Sequence, residues 1–137
     1  MPKLRRIAAI AYAIITAGIV AFQLALAAGA PLGAYAMGGA YPGTFPPALR
    51  VAAVVQGALL AVFALVVLAR AEVAMPRLER VSRIGIWVVV GMSCVSLVLN
   101  TITSSAGERA IWAPVALVMV ASSLAVAVLS RRASTRP

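Results

Sequence analysis

Histidine and aspartate are absent from this chain of 137 residues, and Glu72, Glu79 and Glu108 are its only acids. Those absences exclude imidazole-based metal sites, haem ligation by histidine and His-driven acid–base catalysis. No metal centre and no cofactor are expected. The single cysteine, Cys94, lies inside an apolar run. It can form neither an internal disulfide nor a C-x-x-C redox pair, and it reads as a small packing residue. Charge is scarce as well. With 11% charged and 64% hydrophobic residues, the chain lacks the charged quarter or so that a soluble domain requires, so lipid is the solvent expected for most of it.

Long apolar runs take the place of the missing charge. Four of them are expected to form an all-α bundle of transmembrane helices in one domain covering residues 1–137, with spans at about 7–28, 47–69, 84–101 and 109–129. At 1.5 Å per residue these lengths match a hydrocarbon core of roughly 30 Å. An outer loop then covers 29–46 and a cytoplasmic connector 70–83. The first run competes with a signal-peptide reading, since Ala25-Leu26-Ala27 resembles a cleavage site, but its length favours a retained helix. Thr44, Pro46 and Pro47 suit the start of the second helix. Ser105-Ala106-Gly107-Glu108 fits the S-x-x-E capping box at the start of the fourth, and Pro114 then falls inside that helix.

The cations set the expected orientation. Of twelve Lys and Arg, all but Arg50 and Arg109 fall in the N-terminal segment, the connector or the C-terminal segment: Lys3, Arg5, Arg6, Arg70, Arg77, Arg80, Arg83, Arg131, Arg132 and Arg136. Ten against two is a strong positive-inside bias for loops this short, and places both termini in the cytoplasm. The same clusters are topology signals and not a basic face for nucleic acid. As partners, the lipid bilayer is expected throughout and anionic headgroups at the basic side, with Glu79 one helical turn before Arg83. Small residues recur every fourth position as Ala9, Ala13, Ala17, Ala21 and Ala25, and again as Ala53, Gly57 and Ala61. This small-xxx-small spacing packs helices closely, either inside one bundle or in a homo-oligomer.

Candidate functional residues gather at the outer side. Between Gly29 and Leu49 the chain carries no charge, five Gly, four Pro and the aromatics Tyr35, Tyr41 and Phe45. Such a loop is either an interfacial lid or a partly re-entrant element lining a cavity. Topology brings Gln23, Arg50, Gln56, Asn100, Glu108 and Arg109 to similar depth beside it. Polar side chains within spans are costly, so this cluster is the candidate ligand-binding site, set against helix-to-helix hydrogen bonding as the plainer reading. In the leading form of that expectation Arg50 holds an anionic group while Asn100 and Glu108 orient it. Deeper, Thr16, Ser93, Ser96, Ser122 and Ser123 can bond to their own helices. No carboxylate or cation stands at mid-depth, which disfavours a proton-coupled transporter.

Gly29-Ala30-Pro31-Leu32-Gly33, Gly38-Gly39, Pro42-Gly43, Pro46 and Leu49-Arg50, with Asn100, Ser104, Glu108-Arg109 and Trp112-Ala113-Pro114, resemble a set of small bacterial four-span membrane proteins. The resemblance covers nearly the whole chain. It implies a bacterial plasma (inner) membrane location and a retained first helix, and it implies no mechanism. The functional expectation is therefore an integral membrane protein binding a lipid, an apolar small molecule or a partner protein at its outward face. A homo-oligomeric channel or transporter is the alternative, and an outer-leaflet lipid-modifying enzyme the third.

Overall fold

A computed structural model describes residues 2–134, with side chains described as far as Arg131. Arg136 lies outside the described residues, as does the side chain of Arg132. The expected fold class holds. Four helices, α1 (Pro2–Ala28), α2 (Pro47–Arg70), α3 (Glu79–Ile102) and α4 (Ala106–Ser134), account for most of the described residues, and none of these is in a strand. All four are long and apolar enough to cross a membrane.

Helices α1 and α3 begin before their apolar runs do. Pro2 occupies a first turn, where a missing N–H costs nothing, and Lys and Arg are good helix formers. The charged segments are therefore helical, and the connector is shorter than expected, ending in a 3-10 turn over Pro76–Leu78 before α3. Helix α4 continues through Pro114. Neighbours in sequence pack side by side and α4 returns against α1, closing a ring in which α2 and α3 share the smallest adjacent contact.

The half of the bundle nearest the termini is densely filled. Ala9, Tyr12, Val67, Ile86, Val89 and Val126 are almost wholly buried there. Gly85 lets α3 approach α2, because a Cβ at that position would sit 3.0 Å from a methyl of Val66. Only part of the small-residue spacing serves packing within the bundle: Ala9, Ala53 and Gly57 are buried, whereas Ala17, Ala21 and Ala61 are exposed.

Ion pairs close this basic end. Arg5, only 6% exposed, meets the Glu72 carboxylate through two contacts of 2.9 and 3.0 Å, and Arg6 donates to the Glu72 carbonyl. The Arg5 hydrogen bond holds the Glu72 carboxyl below its ordinary range against a smaller opposing effect of desolvation. Because that carboxylate is largely exposed, the pair positions the turn more than it stabilises the fold. Glu79 and Arg83 pair on the surface at 3.0 Å, and the Arg131 guanidinium lies over the Trp87 ring.

Candidate ligand cavity

At the opposite end, the loop between α1 and α2 folds onto itself before it meets the helices. The Gly33 N–H donates to the Gly43 carbonyl at 2.9 Å, and any Cβ on Gly33 would collide with the carbonyl of Tyr41. Met37, Gly38 and Gly39 then take positive φ angles in succession, a turn that two glycines make accessible. Phe45 is buried against Leu26 and Ala53, pinning the end of the loop between α1 and α2.

The turn leaves backbone groups of the loop facing the start of α4, which supplies partners for them. Glu108 Oε2 accepts from the Gly38 N–H and from the Thr103 hydroxyl, each at 2.8 Å. Ser104 donates to the Gly38 carbonyl, Ser105 to the Ala34 carbonyl, and the Trp112 indole N–H to the Tyr35 carbonyl. Only half of the predicted capping box forms. Ser105 Oγ does accept from the Glu108 N–H at 3.2 Å, but the carboxylate turns away from the cap to hold the loop. Gly107 makes room for this docking, as a Cβ there would press on the Tyr35 ring at 3.1 Å.

Beneath the clamped loop lies a cavity of about 640 Å³. Tyr35 to Gly38, Ser104 and Glu108 form its roof, all four helices supply its walls, and Tyr12, Ser93 and Met119 lie at its far end. The packed core seals it below. Along one side, Ala52, Gln56 and Leu59 of α2 and Val95, Leu99 and Ile102 of α3 both line the cavity and are exposed, so it opens laterally between those two helices.

Most of the wall is apolar, but several polar groups in it lack partners among the described residues. Gln23 is 7% exposed and makes no side-chain hydrogen bond among the described residues. The Tyr12 hydroxyl is fully buried without a well-formed bond, facing Ser93. Asn100 donates its amide to the carbonyl and hydroxyl of Ser96, which fixes the amide nitrogen and leaves the side-chain oxygen without a protein donor. Gln56 stands at the lateral opening.

Of the residues singled out from sequence, Gln23, Gln56, Asn100, Glu108 and Tyr35 line this one cavity. Arg50, Arg109 and Tyr41 do not. The Arg50 guanidinium packs over Gly29 at the carbonyl end of α1, with Nε donating to the Phe45 carbonyl at 2.8 Å, a site where a helix end favours a cation. That position withdraws it from the anion-holding role expected above. Arg109 donates to the Thr103 carbonyl at the surface, and Tyr41 packs edge-on against Phe45. Sequence reasoning missed Tyr12 and Trp112 as wall residues. Tyr12 was open to detection as the one tyrosine inside an apolar run, where a hydroxyl needs a partner.

Comparison with protein-family models, curated proteins and solved structures finds no match to this chain.

The clamp makes a discriminating prediction. Glu108→Gln retains a side-chain oxygen able to accept both bonds and is expected to leave the loop in place. Glu108→Ala removes a charged acceptor worth about 1.5–3 kcal/mol, and amide exchange at Gly38 in detergent micelles should accelerate by about tenfold or more. Exchange in Glu108→Ala no faster than in the wild type would mean that the carboxylate does not hold the loop.

Proposed function

We propose that this protein is a small multi-pass protein of the bacterial plasma membrane that binds an apolar, lipid-like small molecule in the cavity beneath its clamped loop. The observation carrying this reading is the cavity: about 640 Å³, mostly apolar, and edged with polar groups that the protein leaves unpaired. That size falls within the range of roughly 300–1,000 Å³ common to small-molecule sites, and a few convergent polar groups on apolar walls are their usual composition. The bias of cations toward the termini supports an outward-facing loop and a cytoplasmic basic end in contact with anionic headgroups.

The competing readings have less support. A path across the membrane within one copy is opposed by the core below Tyr12, where Val67, Ile86, Val89 and Val126 leave no opening. A path between copies would have to use lipid-facing surfaces, where among the polar wall residues of the spans Gln56 is exposed while Gln23 is buried and Asn100 half-buried. For an enzyme, the sole carboxylate in the cavity is Glu108, whose Oε2 already accepts two bonds from the loop and its surroundings.

Native mass spectrometry of the protein released from mild detergent tests the binding. A discrete non-protein mass is expected on the wild-type chain and should fall at least several-fold for Ala52→Phe, which fills the lateral opening without touching the buried core. Wild-type protein that is always bare would count against binding. Orientation has its own check in a Cys94→Ser background: a cysteine placed at Ala40 should react with an impermeant maleimide added outside cells, and one at Ala74 should not. The reverse pattern would invert the topology.

A further inference from the structure

Three features of the cavity constrain its occupant: which charges reach it, where its free polar groups stand, and where it opens. Resting on the reading that the cavity holds a ligand, we infer that its occupant is an uncharged amphiphile, which enters sideways from the membrane between α2 and α3 and brings a hydroxyl or carbonyl to Gln23, Gln56 and Asn100.

Among the described residues no Lys or Arg lines the cavity. The nearest candidate, Arg50, is turned to the end of α1, and the one ionic group present, Glu108, would repel an anion. An anionic headgroup placed there would be a buried charge without a counter-ion, an arrangement that costs several kcal/mol. A cationic headgroup would have one counter-ion, Glu108 at the roof, whose Oε2 is held by Gly38 and Thr103 and whose Oε1 alone is open to it. Apart from Glu108 at the roof and the Tyr12 phenol at the far end, the free groups are the neutral amides of Gln23, Gln56 and Asn100, and neutral hydrogen-bonding groups are their complement. They are also distributed: Gln23 and Gln56 come from facing helices, the Cβ of Gln23 lying against Gly57, while Asn100 stands on α3. A polar group among them would leave an apolar chain to run between the apolar walls.

Entry from the side follows from exposure. The residues edging the opening are apolar on both helices, apart from Gln56, and sit where lipid would surround them. By contrast the end route is covered by the loop, which its bonds to α4 hold in place.

Trp112 lines the cavity and provides the reporter, in a Trp87→Phe background that silences the distant tryptophan. In phosphatidylcholine vesicles, quenching of Trp112 is compared for chain-dibrominated octadecanol, octadecyl sulfate and octadecyltrimethylammonium. Dibrominated phosphatidylcholine sets the level due to bulk lipid. The alcohol should quench at a mole fraction about tenfold lower than either charged probe, an advantage equivalent to about 1.4 kcal/mol. Gln23→Leu with Asn100→Leu should erase that advantage, and Ala52→Phe should return quenching by the alcohol to the bulk level. Quenching by the sulfate or the ammonium probe at least as strong as by the alcohol would overturn the inference while leaving the cavity a binding site. An alcohol unaffected by Ala52→Phe would overturn lateral entry. No probe exceeding the bulk level would overturn the binding reading itself.

Discussion

Backbone polar groups have no water to turn to in a bilayer, so irregular chain near the membrane must be satisfied by the protein. In this protein that constraint falls on the glycine-rich loop, and Glu108 is the residue that meets it. One carboxylate oxygen accepts the Gly38 N–H and the Thr103 hydroxyl, joining the loop to the start of α4. Ser104, Ser105 and Trp112 complete the attachment by donating to carbonyls of the same turn. The roof of the cavity is held in place by these bonds.

The two halves of the bundle answer different demands. Near the termini, small residues such as Ala9 and Gly85 bring the helices together around a dry aliphatic core. Toward the loop the walls carry amides, with the Tyr12 phenol at the far end of the cavity, and leave a lateral opening between α2 and α3. Unpaired buried polar groups cost free energy, typically about 1–3 kcal/mol each. Gln23, Asn100 and Tyr12 bring three such groups to one cavity, and that is the physical case for an occupant.

Much of this architecture was legible in the sequence, for reasons that can be traced. Apolar run length gives helices and their approximate ends, because lipid thickness fixes how many residues a span needs. Depth along the span was legible too, and Gln23, Gln56, Asn100 and Glu108 do share one cavity. What depth does not contain is the direction in which each side chain points around its helix. Arg50 stands at the depth of the site and yet packs on the end of α1, and Tyr12 looked like part of the apolar run yet reaches the cavity floor. The capping-box motif shows the same limit: its serine caps α4, but the glutamate found a stronger demand in the loop, a tertiary contact that local spacing does not encode. The shortened connector has a simpler cause, since charged residues outside the apolar runs are still good helix formers.

The central claim is that a roofed, laterally open cavity in this bundle is occupied by a membrane-derived molecule. The most direct test is an experimental structure of the protein in a lipid nanodisc. Elongated non-protein density from the neighbourhood of Gln23 and Asn100 toward Tyr12, with the Gly38–Glu108 contact intact, is the result this account requires. A structure in which α2 and α3 close together, the cavity collapses and Gln23 bonds to protein would contradict it.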